Sequence, residues 1–244
     1  MLFYRNERKR EFEMSSNNST AKTFIFAIVM CVICSFLLTA AAVGLKDRQV
    51  KNIELDKQKN ILKSLSLLDT SKKVTADEVD KLYSENVRNF YMTASGNLSR
   101  TQESESDLPL FVVGVKEIKS YAMPFKAYGL WSWVYGYVAV AGDGNTVVGL
   151  TVYQHGETPG LGGEVEKDWF QKQFIGKKLT DSQGKFISVG IVKGKVVDRI
   201  PVDKRDNFVD GISGATITSV GMEKYLRIDL SKYEPFSKLL RQGQ

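Results

Sequence analysis

The sequence has 244 residues, of which 43% are hydrophobic and 25% are charged. This apolar fraction excludes a disordered or low-complexity chain, and the length suits one large domain or two small ones. With 1 His and 2 Cys, the chain lacks the roughly three or four His or Cys ligands of a zinc site and the roughly four thiolates of an iron–sulfur cluster. A redox function would therefore require an acquired cofactor.

The charge balance argues against a nucleic-acid partner. The net charge is +6, from 34 Lys and Arg against 28 Asp and Glu. This is a small excess for a nucleic-acid-binding protein, and no stripe of basic residues interleaved with aromatic residues accompanies it. The charge predicts a solvated surface with a basic bias.

The segment 23–45 is predicted to be a transmembrane helix. It is uncharged, reads TFIFAIVMCVICSFLLTAAAVGL, and as a helix would reach ~35 Å, enough to cross a hydrocarbon core about 30 Å thick. A cleaved signal peptide is the rival, because Ala40-Ala41-Ala42 offers a cleavage pattern. However, the apolar stretch exceeds the usual signal-peptide core of about 7–15 residues. Cys31 and Cys34 lie among apolar neighbours, which favours ordinary helix residues over a redox pair.

The charges that flank this helix leave its orientation open. Residues 1–22 and residues 46–60 each carry five Lys or Arg, so the positive-inside rule gives no preference. A short cytoplasmic tail at 1–22, with the body of the chain outside, is the simpler layout.

Residues 46–108 are predicted to form a juxtamembrane helical region and a linker. Apolar residues recur among charges at 46–66, which indicates a helix. Thr75 and Glu78 have the spacing of a capping box, predicting a second helix that runs towards Tyr91. The polar segment 95–107 is typical of a surface loop.

Residues 109–244 are predicted to form a second domain of the α+β class with a largely antiparallel sheet. Four segments have the composition of strands: 110–116, 133–141, 145–153 and 185–194. Gly142-Asp143-Gly144 joins the second and third of these, which predicts a hairpin. Helical patterns are weaker here and occur chiefly at 166–176 and 219–230.

Two glycine-rich segments are candidates for a binding site. The segment 156–164, GETPGLGGE, has a backbone that a flat or anionic ligand can approach closely, although a flexible turn has the same composition. The segment 210–219, DGISGATITS, combines small residues and hydroxyls before a predicted helix, whose start offers N–H donors to a phosphate. A helix cap at Thr218 or Ser219 explains only part of this second pattern.

The second segment resembles the flavinylation motif of the FMN-binding domain family. The match is carried by Ser213-Gly214-Ala215-Thr216 after Asp210-Gly211. Further segments follow the order and spacing of membrane-anchored members of that family from about 125 to 230: YGLWS at 128–132, GDGNT at 142–146, GETPGLGGEVE at 156–166 and GKKL at 176–179. Residues 1–13 and 70–108 carry little of the resemblance.

The resemblance implies that Thr216 bears FMN through a phosphoester, installed by a flavin transferase that uses FAD. Thr218 is the nearest competing hydroxyl. Further candidates for binding the cofactor come from both glycine-rich segments: Glu157, Thr158, Gly160, Leu161, Gly162, Gly163, Ser213, Gly214 and Ala215. Leu130 and Trp131 either pack on the flavin ring or belong to the core. His155 needs no role in electron transfer. Lys193 would either offset the charge of the phosphate or be an ordinary solvated lysine, and the second is expected. No metal is expected.

For function, the resemblance implies one member of a six-subunit membrane complex, in a bacterial inner membrane. Its periplasmic FMN-binding domain would relay single electrons between NADH oxidation and ubiquinone reduction, coupled to Na+ export by partner subunits. One alternative is the homologous G subunit of an ion-translocating ferredoxin:NAD reductase complex. A second alternative is an anchored extracytoplasmic binding module without redox function.

Overall fold

The structure, a computed structural model, describes residues 2–68, 73–114 and 116–243. The chain divides into two compact units, Met1–Glu54 and Leu55–Gln244. Helix α1 runs without interruption from Leu2 to Ser64. The helix predicted separately at 46–66 is therefore the continuation of α1, because Gly44 alone, at a cost of about 1 kcal/mol, does not end a helix.

Part of α1 has the properties of a membrane span. Over Thr20–Ser64 its most apolar window has a mean hydropathy of 2.7, and that window is not buried in the protein. Among the described residues it is the one helix whose length and composition allow it to cross a membrane. Cys31 and Cys34 are free thiols within it.

The second unit is built on a six-stranded sheet in which every neighbouring pair is antiparallel. The order is β2-β1-β3-β4-β5-β6. The strands are β1 (Val87–Met92), β2 (Leu98–Ser99), β3 (Leu108–Val113), β4 (Ser120–Tyr128), β5 (Trp133–Ala141) and β6 (Val147–Gln154). The predicted α+β class with a largely antiparallel sheet is confirmed, and so is the hairpin, formed by β5 and β6.

Both faces of the sheet are covered. On one face, alternate residues of β4, including Tyr121 and Phe125, pack in a core with Met222 and Leu226 of helix α5 (Thr216–Ser231). Helix α6 (Glu234–Arg241) adds Phe236 to that core. On the opposite face lies a second apolar cluster, which includes residues of α1 and of helix α2 (Ala76–Asn86). Burial on two faces fixes the register of each strand.

Strand β4 is absent from the sequence-based prediction although it lies within the sheet. Pro124 and several alanines give the segment SYAMPFKAY a weak strand signal. The structure accommodates Pro124 because β3 pairs with β4 only from Ser120 to Ala122. At Pro124 the strand has β5 as its neighbour, through Tyr137.

The segment before β3 also differs from the prediction. The capping box forms as predicted, with Glu78 N–H donating to Thr75 and Thr75 N–H donating to Glu78. However, α2 ends at Asn86 and β1 begins at once, instead of the helix continuing towards Tyr91. The predicted loop at 95–107 consists of turns, bends and irregular backbone, with the short strand β2 inside it.

The chain between β6 and α5 consists of short elements, and the two glycine-rich segments lie near its two ends. A 3-10 helix at Gly162–Glu166, helix α3 (Asp168–Gln171) and a 3-10 helix at Lys172–Phe174 replace the predicted helix at 166–176. The predicted strand at 185–194 is reduced to β7 (Gly190–Val192), which pairs in parallel with β8 (Phe208–Asp210). Helix α4 (Val196–Arg199) and a 3-10 helix at Val202–Asn207 lie between them.

Helix α5 lies unusually close to the end of β4. A Cβ added at Gly221 would come within 2.1 Å of the Tyr128 carbonyl oxygen. Only glycine permits this approach, which brings the start of α5 next to the turn that joins β4 and β5.

Candidate functional site

Thr216 is the first residue of α5, and its side chain is exposed. The residue before it, Ala215, has no side-chain acceptor for the N–H groups of the first helical turn. These donors and the helix dipole favour an anion at this position. Gly214 turns the chain into the helix with φ +74°, a conformation that favours glycine.

The buried carboxylate of Glu157 joins three segments around Thr216. It is 5% exposed. It accepts backbone N–H groups from the turn between β4 and β5: Leu130 at 3.1 Å, Trp131 at 2.8 Å and Ser132 at 3.0 Å. It also accepts the Thr218 hydroxyl of α5 at 2.7 Å. Since both oxygens are engaged by the protein's own donors, Glu157 fixes the site's geometry.

Two glycines allow this arrangement. A Cβ at Gly129 would lie 2.6 Å from Glu157 Oε1, and a Cβ at Gly162 would lie 2.5 Å from Glu157 Oε2. Gly162 also faces the Thr218 hydroxyl, at 2.7 Å from such a Cβ. The glycines in the GETPGLGG segment thus bring its backbone against α5.

The environment of Glu157 lowers the pKa of its carboxyl group. Burial acts in the opposite direction and raises the pKa, but the hydrogen bonds from Thr218, Trp131, Ser132 and Leu130 stabilise the charged form and outweigh it. The carboxylate is therefore ionised at neutral pH.

We expect the stabilisation contributed by Glu157 to depend on pH. Because the pKa is lowered in the folded state, the contribution is complete above the unfolded-state value of about 4.3 and is lost as the pH falls through the lowered folded-state pKa. The difference in free energy of unfolding between the wild type and Glu157→Gln should therefore shrink between neutral and acidic pH. Denaturant titrations followed by tryptophan fluorescence measure it, and a difference that stays constant down to about pH 3 would contradict this interpretation.

A small cleft, called the apolar cleft below, opens on one side of Thr216 and has a volume of about 280 Å³. Its exposed apolar side chains include Trp131, which is 67% exposed, and Ile217, which is 60% exposed. Its lining consists of Leu130, Trp131, Glu157, Thr158, Leu161, Gly162, Gly214, Ala215, Thr216, Ile217 and Thr218. A flat aromatic ligand fits such walls.

A larger cleft, called the cationic cleft below, opens beside Thr216 as well and has a volume of about 740 Å³. Three basic side chains line it: Lys193, Lys195 and Arg199. Its apolar wall comes from Trp169, Ile191, Val192, Ile212 and Val220. Thr216 borders both clefts.

The structure brings most of the predicted site residues together on these clefts. Gly160 and Ser213 lie on the cationic cleft. Gly163 borders neither cleft; it is buried, and its N–H donates to the Thr158 carbonyl oxygen at 2.9 Å. Leu130 and Trp131, for which the sequence left core packing open, lie on the apolar cleft and are exposed.

Sequence reasoning missed Ile217 and most of the cationic cleft. For Lys193 the sequence favours a solvated side chain over one that offsets phosphate charge; in the structure the residue is exposed and lies on the wall of that cleft. The pattern Lys193-Gly194-Lys195 was an available signal, because a glycine between two lysines can form a turn that brings both side chains to one surface. In the structure Gly194 has φ +91°, and both lysines line the cleft. Trp169 and Arg199 come from separate segments and carried no such signal.

His155 has a supporting position in the GETPGLGG segment. Its Nδ1 accepts the Glu157 N–H at 3.1 Å, and its Nε2 lies 3.2 Å from Glu166 Oε2. Within the described part of the chain, no group of three or more His, Cys, Asp or Glu side chains is arranged to hold a metal ion.

Comparisons with known proteins identify the family to which the chain is similar. The family model for the FMN-binding domain matches residues 129–230, which include the apolar cleft and Thr216. A protein of Yersinia pestis, named as the C subunit of the Na(+)-translocating NADH-quinone reductase, is 33% identical over 93% of this chain and 96% of its own length. A protein of Vibrio vulnificus (strain YJ016) with the same name is 34% identical over 94% of this chain and 99% of its own length.

Solved structures of two further proteins with this name or its short form resemble the fold. The C subunit of the Na(+)-translocating NADH-quinone reductase of Parabacteroides distasonis is 32% identical, with a TM-score of 0.66 over 79% of this chain and 96% of that chain. The NqrC of Shewanella oneidensis is 26% identical, with a TM-score of 0.63 over 80% of this chain and 99% of that chain.

Proposed function

Because the chain belongs to the family of Na(+)-translocating NADH-quinone reductase C subunits and contains an FMN-binding domain, we propose that FMN is attached covalently to it through a phosphoester on Thr216. The observation that carries this proposal is the position of Thr216. Its exposed hydroxyl stands at the uncapped start of α5, between two clefts. The N–H groups there suit a phosphate, which the phosphoester would keep in place.

The residues around Thr216 fit the other parts of the cofactor. In the apolar cleft, the side chains of Leu130, Trp131 and Leu161 would pack against the flat ring of the flavin. Thr158 supplies a hydroxyl on the same wall, and the Gly160–Gly163 backbone lies beside it. Glu157 acts indirectly, since its carboxylate holds the turn at Leu130 and Trp131 against Thr218 of α5. The binding role of these residues rests on this fit.

When bound, FMN supplies a redox centre that exchanges electrons singly or in pairs. The protein's contribution is to hold the ring at a fixed place and leave part of it open to a partner. The exposed side chains of Trp131 and Ile217 form an apolar rim that suits a transient redox partner. We place NADH oxidation, ubiquinone reduction and the Na+ pathway in partner subunits of a six-subunit membrane complex. In that complex, this chain relays single electrons between the partner subunits.

The proposed membrane anchoring is supported by α1, and the proposed orientation rests on the resemblance to the family. A helix that is apolar and long enough to cross a membrane precedes the FMN-binding domain, which supports anchoring in a membrane. We propose a bacterial inner membrane, with the start of the chain in the cytoplasm and the FMN-binding domain in the periplasm. The alternative of the ferredoxin:NAD reductase G subunit is not favoured, since the relatives compared above are C subunits of the quinone reductase.

Dependence on a flavin transferase tests the proposed attachment. The full chain is produced with and without the transferase and separated on a denaturing gel, where only covalently bound flavin stays with the polypeptide. We expect a fluorescent band at the mass of the chain only when the transferase is present. A band of equal intensity without the enzyme, or none with it while another flavinylated protein is labelled in the same cells, would contradict the proposal.

A further inference from the structure

The end of β4, the start of β5 and helix α5 form an exposed surface of aromatic and lysine side chains. The Trp133 ring lies edge to face with the Tyr128 ring, at a centroid distance of 5.0 Å, and with the Tyr225 ring, at 5.5 Å. Lys126 Nζ lies 4.0 Å from the centroid of the Trp133 ring. Lys224 Nζ lies 5.6 Å from the centroid of the Tyr225 ring. These five residues, called the aromatic–lysine patch below, are therefore in continuous contact.

The composition of the aromatic–lysine patch is typical of a protein interface. Trp133 is 36% exposed and Tyr128 is 40% exposed, and neither belongs to the lining of the apolar cleft or of the cationic cleft. Trp and Tyr often supply much of the binding energy in protein–protein interfaces, because a large ring buries much apolar area with little loss of conformational freedom. The patch is therefore a candidate surface for a protein partner.

The aromatic–lysine patch adjoins the proposed flavin site. Tyr128 and Trp133 flank the turn 129–132, and Leu130 and Trp131 of that turn lie on the apolar cleft. A partner that covers the patch would therefore also reach the apolar rim at Trp131. Electron transfer between two bound cofactors requires them to lie close together, so a contact surface beside the cleft suits the subunit that exchanges electrons with FMN.

The charge of the aromatic–lysine patch is positive. In the parts of the chain that the structure describes, no carboxylate forms an ion pair with Lys126 or Lys224. Asp229 accepts the Lys126 backbone N–H at 2.8 Å, and its charge is offset by Lys232 at 2.5 Å. Glu223 is directed to β7, whose backbone donates a hydrogen bond to it. The two ammonium groups of the patch are therefore available to carboxylates of another protein.

The ring contacts prepare these two ammonium groups for an ion pair. An ammonium held over an aromatic face keeps its charge, because the ring attracts the cation without carrying a net charge itself. The contact also restricts the rotamers of the lysine, so less conformational freedom is lost when a carboxylate binds. Lys126 and Lys224 thus present positioned charges at the edge of an apolar surface.

We propose that the aromatic–lysine patch binds an acidic surface of the partner subunit that exchanges electrons with FMN. The inference rests on the proposed electron relay and adds the chemistry of the partner. That subunit would place carboxylates against Lys126 and Lys224 and an apolar side chain against Trp133. Complementary charges of this kind accelerate the encounter and fix the orientation of the two surfaces.

A membrane surface suits the aromatic–lysine patch less well, although lysine and aromatic side chains also occur at lipid interfaces. Tyr128 and Trp133 are less than half exposed and are held against each other, whereas rings that enter a lipid interface project from the protein. Lipid at this place would also cover the apolar rim and separate the flavin from a protein partner. A subunit surface is therefore the better match.

Turnover of the assembled complex tests the role of the two charges. The complex is purified with the wild-type chain, with Lys126→Glu/Lys224→Glu and with the control Lys185→Glu/Lys204→Glu, which reverses two exposed lysines outside the patch. NADH-dependent quinone reduction is measured at constant Na+ and increasing KCl. We expect the patch variant to be about tenfold slower than the control at low salt. The difference should shrink towards 1 M KCl, where the Debye length is about 3 Å.

Photocrosslinking in the same complex identifies the occupant of the patch. With p-benzoylphenylalanine in place of Tyr225, we expect a cross-link to a partner subunit, on a peptide that contains Asp or Glu. Equal turnover of the patch variant and the control at low salt, or cross-linking to lipid alone or to no subunit, would overturn the role of the patch and leave the relay intact. If NADH failed to reduce the flavin of this chain in the wild-type complex, the relay itself would be overturned.

Discussion

Replacing Thr216 with valine is expected to abolish covalent flavin on this chain. Valine keeps the shape of threonine and removes the hydroxyl that would carry the phosphoester. Because the side chain is exposed at the first position of α5, the fold should be retained. In-gel flavin fluorescence after coexpression with the transferase measures the loss, which should be complete.

Two neighbouring hydroxyls serve as controls for this prediction. Ser213→Ala removes an exposed hydroxyl on the cationic cleft, and Thr218→Ser keeps the donor to Glu157. Both variants should remain fluorescent. Flavin that persists in Thr216→Val and disappears in Thr218→Val would move the attachment to Thr218 and refute the assignment to Thr216.

Glu157→Ala is expected to lower the free energy of unfolding by about 3 to 5 kcal/mol, because it removes a buried acceptor shared by several donors. Three backbone N–H groups and the Thr218 hydroxyl would lose their partner at once. Glu157→Gln should lose about half as much, since its amide oxygen still accepts. Denaturant unfolding of the full chain, followed by tryptophan fluorescence, measures both changes.

Glu166→Gln is the matched control for Glu157. Glu166 lies in the same region but is exposed, and its contacts with His155 and Lys167 are surface contacts. Solvent screens such pairs, so the control should change stability little. If Glu157→Ala were as mild as Glu166→Gln, the carboxylate would not be what holds the turn at Leu130 to α5.

The sequence predicted the elements whose signals are local. The strands at 133–141 and 145–153 have β-branched and aromatic residues on either side of a Gly-Asp-Gly turn, and they form β5 and β6. The T-x-x-E spacing likewise predicted the start of α2. Strand β4 was missed because its pairing depends on where β3 stops beside Pro124, which no local pattern records.

The residues of the candidate site likewise fall into those that local motifs predicted and those that the motifs did not predict. Two contiguous segments, GETPGLGG and SGATITS, supply most of the apolar cleft, so motifs were sufficient to locate it. The cationic cleft draws Trp169, Lys193 and Arg199 from three separate segments. Their proximity is a consequence of the tertiary fold. Similarly, the sequence could suggest Glu157 as a ligand-binding residue, but only the structure reveals that its oxygens are engaged by the protein's own N–H and O–H groups.

Intact-mass analysis with peptide mapping tests the central claim most directly. The full chain is produced with the flavin transferase, weighed and then digested. We expect one added FMN, less the elements of one water, located on the peptide that contains Ser213 to Ser219 and assigned by fragmentation to Thr216. An unmodified chain, or FMN found on a different residue, would contradict it.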